Sequence, residues 1–283
     1  MTDKKRNLII RTLTGIVFVA ILVGGILWSW MSFTVLFMLI TALSIKEFCD
    51  IINQKEDVQV NTMICTVAGT YLFGAISGFC SQLTSSAVFI PYLLSIVYLL
   101  VSELYQDRQY ALNNWAFTMF SQMYIALPFG TLNALAFQND PTSSIGVVYQ
   151  SILPLSVFLF LWSSDSGAYC FGSLFGKRKL FPSISPNKSW EGSVGGGIIA
   201  LAVSQILASY YPILSRMEWL GFALIVVIFG TWGDLVESLL KRQLGIKDSG
   251  HILPGHGGML DRFDSSLLAI PASVIYIYTL TLF

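Results

Sequence analysis

Four polar side chains fall on one face of an otherwise apolar helix: Asp234, Glu237, Ser238 and Lys241, spaced i, i+3, i+4 and i+7. The run before them, Trp219–Gly233, carries no charge, so Asp234 lies about one to two turns inside the apolar stretch. An intrahelical Glu237–Lys241 pair, worth about 0.3–0.5 kcal/mol, accounts for two of the four. It leaves Asp234 with no cation at i+4, and a carboxylate within an apolar helix is a functional residue by default. The polar stretch that follows, residues 238–264, adds Arg242, Lys247, Arg262, Asp248, Asp261, Asp264 and both histidines, His251 and His256. Its glycines, Gly245, Gly250, Gly255, Gly257 and Gly258, permit tight turns and expose backbone N–H groups. Cations for charge, N–H groups for oxygens and carboxylates for a bridging Mg²⁺ together suit a polyphosphate.

A second polar stretch holds Ser164-Asp165-Ser166-Gly167-Ala168-Tyr169, then Gly176-Lys177-Arg178-Lys179-Leu180, then Ser185-Pro186-Asn187-Lys188-Ser189-Trp190-Glu191-Gly192. Asp165 closes an apolar run, where a carboxylate costs about 2.5–3.5 kcal/mol at full membrane depth. A metal or cationic partner offsets that cost, although an interfacial helix end also accounts for an isolated Asp. Lys188 and Glu191 stand just before a helix that Asn187 or Ser189 is placed to cap, and such an N-terminus favours an anion. Gly192 and Gly196, four apart, read as a helix-packing face rather than a phosphate loop. Small-residue faces of this kind are also compatible with a homodimer.

The acids that best suit a divalent cation are Asp234 and Asp261, followed by Asp165, Glu237 and Asp264. The expected ion is Mg²⁺, with phosphate and water oxygens completing its shell; a second cation is left open. His251 and His256 are too few for a zinc site with cysteine ligands, and His256 suits either a phosphate contact or a loop-holding role. Cys49, Cys65, Cys80 and Cys170 form no C-x-x-C pair and read as small buried hydrophobes.

The elements that position these residues are membrane helices. The 283 residues are 54% hydrophobic and 11% charged, with mean hydropathy +0.68. A soluble domain carries about 25% charged residues. The composition therefore implies an all-α polytopic integral membrane protein, and the zero net charge gives no indication of nucleic acid. Nine spans are expected: 13–27, 30–45, 60–79, 86–104, 113–136, 146–163, 193–212, 219–240 and 264–283. The first boundary is set near Gly24-Gly25, with the first two spans as a tight hairpin. With the N-terminus in the cytoplasm, every Lys and Arg except Arg216 falls inside, as the positive-inside rule requires. Residues 1–145 read as scaffold, and Glu47 and Asp50 as charges flanking the second span, with Glu47 also within reach of the site. Residues 146–283 read as the catalytic region, with cytoplasmic loops 164–192 and 241–263.

Three features carry a resemblance. Ser238-x-x-Lys241-Arg242, Lys247-Asp248 and Pro254-x-His256-Gly257-Gly258-x-x-Asp261-Arg262-x-Asp264 together resemble the signature of the phosphatidate cytidylyltransferase (CDP-diacylglycerol synthase) family. The segments D-S-G-A-Y, G-K-R-K-L and S-P-N-K-S-W-E-G resemble the same family, so the likeness covers about residues 160–265. A charged, solvated loop is what charge alone predicts; the spacing reverses that preference. The resemblance implies CTP and phosphatidic acid as substrates, CDP-diacylglycerol and pyrophosphate as products, and a place in phospholipid biosynthesis; the short chain suggests a bacterial inner membrane. Asp234, Asp261, Lys241, Arg242 and Lys188 are the expected catalytic residues. Lys247, Asp248, His256, Gly257, Gly258, Arg262, Ser238 and Lys177 are the expected substrate-binding residues. A CTP-dependent polyprenol or phytol kinase is the nearer alternative and an ion-coupled transporter the more distant one; the latter usually shows internal repeats, which this sequence lacks.

Overall fold

The computed structural model describes residues 3–106, 110–250, 252 and 257–282. In chain order its elements are α1 (Asp3–Trp28), α2 (Trp30–Ile52), α3 (Thr62–Cys80), a 3-10 turn (Ser86–Phe89), α4 (Ile90–Tyr105), α5 (Ala111–Ser121), a π-helical turn (Gln122–Ala126), α6 (Leu127–Ala136), β1 (Phe137–Asn139), β2 (Val147–Tyr149), α7 (Ile152–Phe175), β3 (Lys179–Phe181), β4 (Ser185–Ser189), α8 (Trp190–Tyr210), α9 (Arg216–Gln243), α10 (Leu260–Phe263) and α11 (Ser266–Leu280). Among the described residues, six helical segments are long and apolar enough to cross a membrane: Arg11–Trp28, Thr62–Cys80, Ser86–Tyr105, Trp190–Tyr210, Arg216–Gln243 and Leu260–Leu280. The protein is an all-α polytopic membrane protein with two short antiparallel strand pairs. The chain forms two compact units, Met1–Ile152 with Asp248–Phe263, and Leu153–Lys247 with Asp264–Phe283.

In the first unit, α1 and α2 form the expected tight hairpin, but the break falls at Ser29 rather than at Gly24-Gly25. Ser29 is extended; its hydroxyl accepts the Ser32 N–H (3.1 Å), and the Ser32 hydroxyl accepts the Ser29 N–H (3.0 Å). This reciprocal cap starts α2 within one residue of the end of α1. Gly25 stays helical and serves packing instead, since a Cβ there would lie 2.4 Å from Leu36 Cδ2. The core is aromatic. Phe33, Phe37, Phe73 and Phe129 are fully buried, and Phe263 joins them, its ring centroid 5.4 Å from that of Phe129 and 6.5 Å from that of Phe37. Each such pair adds about 0.5–1.5 kcal/mol beyond the area it buries. Phe263 lies between Asp261 and Asp264, so this core holds the end of the polar C-terminal stretch.

In the second unit, glycines set the helix crossings. A Cβ on Gly196 would lie 2.3 Å from the Ser164 carbonyl oxygen, and one on Gly192 would lie 2.9 Å from that of Ala168. The Gly192–Gly196 face is thus spent on α7. Phe160, Trp219 and Phe222 pack α7 against α9 with centroids 5.6–6.2 Å apart. Tyr276 on α11 donates its hydroxyl proton to the Glu218 carbonyl at 3.0 Å. Pro182 and Pro186 disfavour a helix interior, and the segment they occupy folds as the β3–β4 hairpin, pairing Lys179 with Ser189 and Phe181 with Ser185.

Candidate active site

The sixth expected span, 146–163, begins later and runs further than the hydropathy pattern indicates. Val147–Tyr149 pair with Phe137–Asn139, so α7 starts at Ile152 and continues to Phe175. The D-S-G-A-Y motif is therefore helical, and the irregular part of the stretch 164–192 narrows to the hairpin region. Small side chains allow the continuation: Gly167 and Ala168 face the glycines of α8, and a Cβ on Gly167 would lie 2.9 Å from the Gly196 Cα. Helices α7, α8 and α9 and the end of the hairpin enclose a cavity of about 210 Å³ whose lining includes Asp165, Tyr169, Asn187, Lys188, Ser193 and Thr231.

Lys188 reaches this cavity because both ends of its segment are fixed. Ser189, not Asn187, caps α8, its hydroxyl accepting the Gly192 N–H at 3.2 Å. The Trp190 N–H donates to the Arg178 carbonyl at 2.9 Å. The Lys188 ammonium forms an ion pair with Asp234 Oδ2, while Asp234 Oδ1 accepts the Ser238 hydroxyl at 3.1 Å. The cation that α9 does not supply one turn on thus comes from β4. Asp165 lies within electrostatic range of both Lys188 and Asp234. Asp264 lies within range of Asp234, Lys241 and Asp165. Its backbone is pressed onto α9: a Cβ on Gly233 would lie 2.7 Å from the Asp264 carbonyl oxygen. Glu237 is fully buried, and Lys241 lies 3.4 Å from it as the intrahelical pair.

Asp248, Gly257, Gly258, Asp261 and Arg262 of the signature belong to the first unit. Asp261 Oδ2 accepts the Ser249 N–H at 2.9 Å and the Gly258 N–H at 2.8 Å, and the Ser249 hydroxyl accepts the Asp261 N–H at 3.3 Å. Gly257 has φ +81°, and a Cβ there would lie 2.7 Å from Asp261 Oδ2. Glu47 of α2 accepts the Leu260 N–H at 2.9 Å. It is buried, not an interfacial flanking charge.

Of the expected site residues, Asp165, Lys188, Asp234, Glu237, Ser238, Lys241 and Asp264 gather in the second unit. Gly257, Gly258 and Asp261 gather in the first, around Ser249. Lys177, Arg242, Lys247, Asp248 and Arg262 are exposed; the N–H groups of Lys177 and Arg178 donate to the Glu191 carboxylate. His256 lies outside the described residues. Sequence reasoning missed the role of Ser249, and for Glu47 it put a flanking charge ahead of an approach to the site. A signal for Glu47 was present: Ile40, Ser44, Glu47 and Ile51 recur at helical spacing on the buried side of α2, while Lys46 and Asp50 pair with each other at 3.0 Å on its exposed side.

Among the described residues, no three His, Cys, Asp or Glu side chains converge into a ready metal cage. The donor chemistry is nevertheless that of a hard cation, with carboxylate oxygens from Asp165, Asp234 and Asp264. Mg²⁺ fits such a set, because it needs one or two carboxylates and takes its remaining oxygens from phosphates and water.

A family model described as "Cytidylyltransferase family" matches residues 9–280, nearly the whole chain. The chain belongs to the cytidylyltransferase family. As a cytidylyltransferase it is similar to a phosphatidate cytidylyltransferase of Staphylococcus haemolyticus, 34% identical over 271 residues that cover 93% of this chain and 96% of the relative. A phosphatidate cytidylyltransferase of Staphylococcus saprophyticus is 40% identical over 182 residues, covering 63% and 65%. One of Bacillus subtilis is 55% identical over 113 residues, covering 39% and 42%.

Proposed function

We propose that this cytidylyltransferase catalyses CTP + phosphatidic acid → CDP-diacylglycerol + pyrophosphate, a nucleotidyl transfer of phospholipid biosynthesis. The observation that carries the reading is the Lys188–Asp234 ion pair. It joins the S-P-N-K-S-W-E-G segment to the start of the signature, inside a unit of apolar helices.

A phosphate oxygen of the lipid attacks the α-phosphorus of CTP in line. A bond forms from that oxygen to phosphorus, and the bond from phosphorus to the bridging oxygen breaks, so the β- and γ-phosphates leave as pyrophosphate. The lipid phosphate is already ionised at neutral pH, so no strong general base is needed, and positioning with charge stabilisation supplies most of the rate. Lys188 turns from Asp234 to a phosphate oxygen as nucleotide binds. Lys241 holds Glu237 neutralised within the apolar helix. Arg242 and Lys247 meet the triphosphate and the lipid phosphate from exposed positions. Mg²⁺, held by Asp234 and Asp264 with Asp165 beside them, would neutralise charge on the nucleotide and on the departing pyrophosphate. The active site faces the cytoplasm of a bacterial inner membrane; the distribution of Lys and Arg and the bacterial relatives support this placement.

The test is product identity. Protein purified into lipid nanodiscs, given α-labelled CTP and phosphatidic acid, yields CDP-diacylglycerol and pyrophosphate in equal amounts. Release of free CDP, with phosphate passed to a lipid alcohol, would identify a kinase and overturn the reading.

A further inference from the structure

We infer that Glu47, on α2 and remote in sequence from every signature motif, is a positioning residue that holds the Ser249–Asp261 end of the signature loop in its working shape. The inference rests on the cytidylyl-transfer reading for its consequence, but its geometry stands apart from it.

Glu47 is buried at 6% exposure in the first unit. Its Oε2 accepts the Leu260 N–H at 2.9 Å. Its other oxygen lies where side chains of the loop would be: a Cβ on Gly250 or on Gly258 would fall 1.7 Å from Oε1. At Gly250 and at Gly258 of the signature, this carboxylate occupies the space a side chain would need. Next to it, Asp261 Oδ2 draws in the Ser249 and Gly258 N–H groups. Ser249, Gly250, Gly258 and Leu260 are thus set against two carboxylates, Glu47 from α2 and Asp261 from their own segment. Phe263, anchored in the aromatic core of the same unit, fixes the end of the segment. Glu47 touches neither substrate in this scheme; it sets where Gly258, Asp261 and Arg262 stand.

The test separates shape from fold and from function. Glu47→Ala and Glu47→Gln are compared in nanodiscs by hydrogen exchange without substrate, by thermal unfolding and by steady-state kinetics. Gln keeps an acceptor and nearly the same volume; Ala keeps neither. In Glu47→Ala, exchange at the Leu260, Gly258 and Ser249 amides accelerates, kcat falls by about 100-fold, the scale of a misplacement of about 1 Å, and the melting temperature stays near that of the parent. Glu47→Gln restores most of the protection and most of the kcat. Unchanged exchange and kcat in Glu47→Ala would overturn the inference. So would a Gln variant as inactive as the Ala variant, which would make charge rather than positioning the role. Loss of kcat only in step with loss of melting temperature would also overturn it, by reducing Glu47 to general stability. If exchange responds as expected while the parent protein forms no CDP-lipid, the positioning role of Glu47 stands and the cytidylyl-transfer reading is what fails.

Discussion

Lys188 and Asp234 lie in separate motifs, one on β4 and one on α9, yet they form a single ion pair with a quarter of each side chain exposed. Removing one partner strands the other in a largely apolar setting, which is costlier than removing both. Asp234→Asn and Lys188→Met should each lower CDP-lipid formation by about 100- to 1,000-fold, the range seen when one preorganised electrostatic group is deleted. The double variant should fall short of the product of the two losses, with a coupling of about 0.5–3 kcal/mol. Steady-state rates of the four proteins measure this directly, and fully multiplicative losses would show that the pair does not act as a unit.

The glycines at the helix crossings yield a second prediction. Alanine at Gly196 meets the Ser164 carbonyl at 2.3 Å, and alanine at Gly233 meets the Asp264 carbonyl at 2.7 Å, whereas Gly24 has nothing within 4 Å. Overpacking of this kind costs about 1–3 kcal/mol. Gly196→Ala and Gly233→Ala should lower the thermal midpoint in detergent, and Gly24→Ala should leave it unchanged. Gly233→Ala should also lose activity beyond its loss of stability, because Asp264 moves with its backbone.

Much of this was legible in the sequence, and the exceptions have physical causes. The face carrying Asp234, Glu237, Ser238 and Lys241 follows from helical spacing alone, and the structure keeps all four on α9. The missing partner of Asp234 was legible only as a vacancy, because spacing says nothing about which distant segment fills it. The end of α7 was misplaced because hydropathy marks where a helix turns polar, not where it stops; α7 runs three turns past the last apolar run, packed on glycines. Glu47 was read by its charge, and its burial depends on a loop more than two hundred residues away, whose Leu260 N–H it accepts.

Magnesium dependence is the next expectation. Chelation with EDTA should abolish cytidylyl transfer, and Mg²⁺ should restore it. Ca²⁺ should restore it poorly, because its looser coordination positions phosphates less well. Asp165 stands beside Asp234 in electrostatic range, so Asp165→Asn should raise the Mg²⁺ concentration for half-maximal rate by about 10- to 100-fold, as neighbours of metal ligands typically do. An unchanged Mg²⁺ requirement in that variant would remove Asp165 from the cation's surroundings.

Two glycines with left-handed backbones allow the signature loop to be tested against an internal control. Gly245 has φ +69° and Gly257 φ +81°, so alanine at either position carries the same conformational cost, about 1–2 kcal/mol. Only at Gly257 does the added Cβ also meet a side chain, Asp261 Oδ2 at 2.7 Å, while at Gly245 nothing lies within 4 Å. That carboxylate accepts the Ser249 and Gly258 N–H groups, and bonds of this type to a charged group are worth about 1.5–3 kcal/mol each. Displacing it therefore loosens both bonds at once. Gly257→Ala should reduce kcat at least about tenfold more than Gly245→Ala at matched stability. Asp261→Ala, which deletes the acceptor outright, should match or exceed the Gly257→Ala defect. Equal kinetics for the two glycine variants would mean that the backbone turn alone matters there and that the position of the Asp261 carboxylate does not.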